Sequence, residues 1–153
     1  MAVLEIGISL GSRNLIDRKY YSSSDDVLDP NLRSGFLSAL ESFTTEVFGD
    51  DIHVVSLASY KLVCYTEMII SPDSNDNHVI KEPLLNYAII EKETDAQVVK
   101  EHLKQISAYF LNRYSRNDLF SKKEKYFRNF QERIDEVLGD LRLKTEDRFR
   151  SIF

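Results

Sequence analysis

Residues 84–92 read LLNYAIIEK, and from Leu84 to Ile90 the only polar residue is Asn86. Aromatic and β-branched side chains suit a pleated surface. A strand that is apolar on both faces has no solvated side, so this one belongs in the middle of a sheet covered above and below. The rest of the chain must then supply neighbouring strands and the layers that cover them.

Two runs precede it. KLVCYTEMII (61–70) and IHVVSLAS (52–59) are β-branched and aromatic, and they meet near Ser59 and Tyr60 as two joined strands. SPDSNDNHVIKEP (71–83) is the longest irregular segment and is dense in turn formers. At the start of the chain, Leu4, Ile6, Ile8 and Leu10 alternate with Glu5, Gly7 and Ser9, the period of a strand over residues 3–10. Gly11-Ser12 turns the chain into RNLIDRKYY (13–21), a charge-rich second strand, so the pair reads as a hairpin.

Helical signals fill the gaps. In DPNLRSGFLSALESFTTEVFGD (29–50), Asp29 is an N-cap, Pro30 suits the first helical position and Gly49 ends the helix. Leu32, Phe36, Ala39, Leu40, Phe43 and Val47 share one arc, with Gly35 and Ala39 at its edge for close approach to a sheet. Leu37, Thr44 and Phe48 point the other way, with Glu41 among them. They read either as ordinary exposed residues or as a partner surface.

In the last third, Thr94 with Gln97 makes a capping box ahead of Val99, Leu103, Ile106, Phe110 and Tyr114. After the polar break SRNDLFS, Ser121 with Glu124 makes another. Phe127, Phe130, Ile134, Val137 and Leu141 repeat at three and four, with Phe149 and Ile152 in phase. Gly139 falls off that stripe, so the pattern predicts one helix over about 122–152. Such a helix is about 45 Å long, against about 38 Å for a compact domain of this size. Its last turns, with Ile152 and Phe153, then overhang or bend.

The expected architecture is an α+β domain over residues 1–153, with a core over 3–114 and the C-terminal helix over 122–152. Its order is β-β-α-β-β-β-α-α. A five-stranded, mainly antiparallel sheet with one helix on one face and two on the other would bury every stripe. A chain of 153 residues can bury roughly two thirds of its unfolded surface.

Composition narrows the partners. The net charge is −5 and no block of Lys and Arg offsets it, which argues against nucleic acid or an anionic membrane. LKQISAYFLNRYSRN and SKKEKYFR mix basic and aromatic residues, but helical periodicity assigns the aromatics to the core. Cys64 is the only cysteine, so an internal disulfide is impossible and a reducing compartment fits. MAVLEIGISLG lacks a basic segment and carries Glu5, unlike a signal peptide. Lys61 interrupts the best apolar run, so direct membrane insertion is not expected. The expected location is cytoplasmic.

Catalytic patterns are incomplete. Gly7-Ile-Ser-Leu-Gly11 matches a nucleophile elbow around Ser9, yet a strand follows where a helix is required. Asp73, Asn75 and Asn77 copy the first ligands of a calcium loop. His78 then stands where glycine is needed and Leu84 where the bidentate glutamate is needed. His53, His78 and His102 show no ligand spacing with one another or with Cys64. Cys64 has no basic neighbour in sequence and reads as a structural thiol. Asp25/Asp26 and Glu91/Glu93 flank turns and helix starts, where carboxylates are favoured anyway. There is no Walker loop. The expectation is a non-enzyme with no catalytic residue, no cofactor and no metal.

The element order and the texture of DPNLRSGFLSALESFTTEVFGDDIHVVSLASYKLVCY (29–65) resemble longin-like and roadblock-like small-GTPase-associated domains, above all the stand-alone prokaryotic and archaeal versions. The resemblance covers residues 3–114. An opening strand pair favours the longin variant, since a roadblock domain begins with a helix. It implies a non-catalytic scaffold or regulator that dimerises with itself or a paralogous longin/roadblock protein and engages a Ras-like small GTPase, in trafficking-like or polarity signalling. It also implies that the second and third strands lie at the sheet edges. The second carries Arg13, Asp17, Arg18 and Lys19, charges that block edge pairing; the third, IHVVSLAS, carries no Lys, Pro or carboxylate. The expected interface is the outer face of the first helix with the third strand: Leu37, Glu41, Thr44, Phe48, His53, Val55 and Leu57. Ile152 and Phe153 form a possible second partner surface. Two other readings stay open: a structural subunit of a tethering or coat-like assembly, and a small-ligand sensor.

Overall fold

The computed structural model describes residues 2–20, 53–57 and 60–142, without the side chains of residues 53, 55 and 57. The helix expected at 29–49 and the end of the chain, 143–153, lie outside the described residues. The class is α+β, with an open antiparallel sheet backed by helices. The strands are β1 (Val3–Leu10), β2 (Arg13–Lys19), β3 (His53–Leu57), β4 (Tyr60–Ile70) and β5 (Lys81–Glu91). They run in the order β2-β1-β5-β4-β3, and every ladder is antiparallel.

The apolar run that starts at Leu84 is the middle of this sheet. β5 lies between β1 and β4, and every residue from Leu84 to Ile90 is buried. Alternate residues serve two layers. Leu84, Ala88 and Ile90 join Ile6, Ile8, Leu10, Val63 and Ile69 in the core beneath the helices. Leu85, Tyr87 and Ile89 are buried on the other face with Leu62 and Cys64. Asn86 is fully buried as well, and neither of its amide atoms has a hydrogen-bond partner.

β1 departs from the alternating pattern. Glu5, one of the residues that alternate with the apolar set, is completely buried. The register slips between Val3 and Glu5, and the buried carboxylate accepts a hydrogen bond of 2.8 Å from the Tyr87 hydroxyl. A buried carboxylate needs such a donor, because desolvation without one is costly. Tyr87 stands opposite Gly7, and its ring fills the place of a side chain there: a Cβ on residue 7 would lie 2.4 Å from Cε1. Only glycine permits that approach.

The helical third differs most from expectation. α1 (Ala96–Arg113) is capped by Asp95, not by a Thr94/Gln97 box: the Asp95 carboxylate accepts from the Gln97 amide at 2.9 Å. The polar SRNDLFS is not a break. It forms α2 (Arg116–Ser121), with a capping box between Ser115 and Asp118 and with Leu119 buried. Ser121 therefore ends a helix and caps none, and α3 (Glu124–Phe127) starts without a side-chain cap. A 3-10 turn (Arg128–Phe130) leads to α4 (Gln131–Leu138), and a second follows at Gly139–Arg142.

The one helix expected over about 122–152 is thus, as far as residue 142, a series of short pieces. Gly139 has φ of +52°, a left-handed conformation that stops α4, so this glycine is a helix terminator. The apolar stripe survives because each piece presents its share to one cluster. Phe110 of α1 meets Phe127 at 5.5 Å and Phe130 at 5.0 Å between ring centroids, and Tyr114 meets Phe127 edge-on at 4.9 Å. The three phenylalanines are fully buried. Such ring pairs add to the area burial that anchors the short helices to α1.

Candidate interaction surface

The strand order leaves β2 and β3 at the two edges of the sheet. What faces each edge decides what it can bind. On β2 the Arg13 guanidinium donates to two main-chain carbonyls, Phe120 at 2.9 Å and Lys122 at 2.8 Å. These close the end of α2, where carbonyls lack intrahelical partners. Asn14 donates to Glu124 at 3.3 Å, and Gln131 donates to the Asp17 carbonyl at 2.8 Å.

Further along, Asp135 of α4 gathers the remaining polar groups. Arg18 donates to both of its oxygens, at 3.3 and 3.2 Å, and the Tyr20 hydroxyl donates to Oδ1. Arg142 approaches Oδ2 at 4.0 Å. Burial and the bond to Asp135 push the Tyr20 phenol well above the usual tyrosine range. The same carboxylate raises the Arg18 guanidinium through its hydrogen bonds. Arg13 and Arg18, read from sequence as charges that repel an incoming strand, instead clamp the chain's own C-terminal helices to β2. Pattern reading could not supply their partners, which lie more than a hundred residues away.

β3 is different. It is only five residues long and pairs along β4 from His53 opposite Cys64 to Leu57 opposite Tyr60. Val54 and Ser56 are exposed, Val54 at 46%. Its outer edge has no strand beside it among the described residues. Of the expected interface residues, His53, Val55 and Leu57 occupy β3, opposite Cys64, Leu62 and Tyr60. Leu37, Glu41, Thr44 and Phe48 lie outside the described residues, as do Ile152 and Phe153. Val54 and Ser56 were missed, although strand alternation places them on the face opposite to the set that was chosen.

Several of the chemistry-bearing residues have a local structural role. Ser9 sits within β1, paired with Asn14 and Leu85, and the chain turns straight into β2. Cys64 is a free, buried thiol whose pKa burial pushes far up. Asn75 accepts from the amides of Asn77 and His78 at 2.9 and 2.8 Å, so its oxygen serves its own turn. The His102 Nδ1 lies 2.7 Å from the Val98 carbonyl on its own helix. Among the described residues no three His, Cys, Asp or Glu side chains converge as metal ligands, and no helix is long and apolar enough to cross a membrane. The chain matches no protein-family model and no curated protein.

Proposed function

We propose that this chain is a non-catalytic interaction module that pairs through β3 with a second copy or a paralogue, and that the paired sheet is a platform for a Ras-like small GTPase. The observation that carries the reading is the asymmetry of the edges. β2 is engaged by the chain's own helices, while β3 exposes Val54 and Ser56 and carries no Lys, Pro or carboxylate. A free strand without such blocking residues is a template for another strand. An isologous pair of β3 strands would run the sheet across a two-fold axis. The strand order β2-β1-β5-β4-β3 supports a longin-like domain, since it puts the second and third strands at the edges. The lone, buried Cys64 suits a cytoplasmic setting.

Light scattering at micromolar concentration tests the pairing. The expected result is a dimer that Val54→Lys dissociates, because a charge beside the seam opposes strand addition. A monomer at every concentration would remove the homodimer. Capture of Ras-like GTPases loaded with GDP or a GTP analogue tests the platform. Equal and negligible capture in both states would overturn it.

A further inference from the structure

Residues 113–133 carry seven Lys and Arg against three carboxylates, Asp118, Glu124 and Glu132, a net of +4 inside a chain of net −5. In sequence these cations are interleaved with aromatic residues. The fold separates the two: Phe127 and Phe130 enter the core, and all seven cations stay exposed. Two of the carboxylates are engaged, Asp118 in the Ser115 capping box and Glu124 with Asn14. The end of α1, together with α2 and α3, is therefore the basic pole of an acidic protein.

Part of this pole is an ordered row. The Lys122 ammonium lies over the Tyr126 ring at 5.3 Å, the Tyr126 and Tyr114 rings are 5.7 Å apart, and the Arg113 guanidinium lies over Tyr114 at 5.5 Å. The row runs into a groove of about 370 Å³, lined among the described residues by Met68 and Ile70 of β4, Leu111 of α1, Tyr114, and Arg116 and Leu119 of α2. That volume falls in the range of binding clefts, about 300–1,000 Å³. Leu119 is fully buried, whereas Met68 and Ile70 are 47% and 42% exposed. Apolar walls and a cationic rim thus meet at one place.

We propose that this groove and row dock an acidic peptide segment of another protein. A large apolar side chain of the segment sits between Met68, Ile70 and Leu119, and its flanking carboxylates meet Arg113, Arg116 and Lys122. An apolar anchor held in a pocket with polar contacts around it concentrates binding energy. Charge complementarity selects the acidic flanks and speeds encounter, while the more acidic remainder of the chain turns such a segment away. Nucleic acid fits less well, because single strands bind by stacking bases on open ring faces. The Tyr114 ring is 8% exposed and packed against Arg113, Tyr126 and Phe127. The docking does not involve β3, so it and the sheet pairing fail separately.

The test titrates isotope-labelled full-length protein with three synthetic peptides: acetyl-DEFDLEE-amide, its anchor-free form acetyl-DESDSEE-amide, and the basic acetyl-KKFKLKK-amide. The first is expected to shift the amides of Leu111–Leu119 and Met68–Ile70, and to bind about tenfold or more tightly than either control. Its affinity should fall as salt is added. The exposed double substitution Arg113→Glu with Arg116→Glu is expected to reverse the preference toward the basic peptide, a readout that only a folded variant can give. Met68→Ser should weaken the first peptide and leave the anchor-free one unchanged. Equal binding of all three peptides, or no shift with any, overturns the proposal. Shifts confined to His53–Leu57 overturn it as well. A polyuridine oligonucleotide that shifts the same amides and binds more tightly than the first peptide would assign the pole to nucleic acid, and this too overturns it.

Discussion

Arg13 on β2 and Val54 on β3 stand at opposite edges of one sheet. The first is bonded to two helix-end carbonyls, and the second is about half exposed on a strand with no further strand beside it among the described residues. Both strands are short and antiparallel to their neighbours, so backbone geometry does not separate them. What separates them is the use of side chains. β2 presents long donors that reach out of the sheet and find acceptors on α2 and α4. On β3 the described side chains, Val54 and Ser56, are exposed. An edge closes when another part of the chain can accept what it donates, and otherwise it remains a template.

The contrast can be broken most severely from the core. Phe110 links α1 to both Phe127 and Phe130, so Phe110→Ala should cost about 3–5 kcal/mol in chemical denaturation and loosen the helices that close β2. A loss under about 1 kcal/mol would mean that the ring cluster does not hold them. Next comes Asp135→Ala, which leaves Arg18 and Tyr20 without their acceptor. The expected cost is about 1–3 kcal/mol, most of it from the Tyr20 side because the Arg18 side chain is 40% exposed. Amide exchange in β2 should quicken more than in β4.

A pH series isolates the same cluster. Folding raises the Tyr20 pKa, so the folded state favours the protonated phenol. That contribution is fully present below the ordinary tyrosine value of about 10 and is lost as pH climbs above it. Denaturation midpoints measured from pH 8 upward should fall more steeply for the native chain than for Tyr20→Phe. Parallel curves would remove Tyr20 from the clamp. The smallest effect on stability belongs to the open edge. Val54→Lys should change folding free energy by less than about 0.5 kcal/mol while abolishing association. If it destabilises the fold instead, β3 is not a free edge.

Legibility in the sequence followed the range of the interactions involved. The central strand was readable from LLNYAII alone, because burial on both faces requires apolar residues at every position. The β1–β2 hairpin was readable from its alternation and its Gly-Ser turn. The helix ends were not. Asp95, Ser115 and Gly139 set them, whereas the pattern pointed to Thr94 and Ser121 and passed over Gly139. A capping box is a local motif that several neighbouring residues can satisfy, and backbone direction selects among them. The burial of Glu5 was not legible for a related reason, since a strand pattern cannot announce that a tyrosine from β5 will cover its polar position.

At the candidate surface, the lack of Lys, Pro and carboxylate on β3 could be read from the sequence. The closure of β2 could not, because the same arginines serve equally to repel a stranger and to bind a distant helix. By itself the sequence determined which segments are strands, which strand is central, and that the last third carries an apolar stripe, because periodicity and composition act residue by residue. Only the tertiary structure decided how that stripe is cut into short helices and which edge they close. Those outcomes depend on groups brought together across the chain, and their energies exist only once the fold has formed.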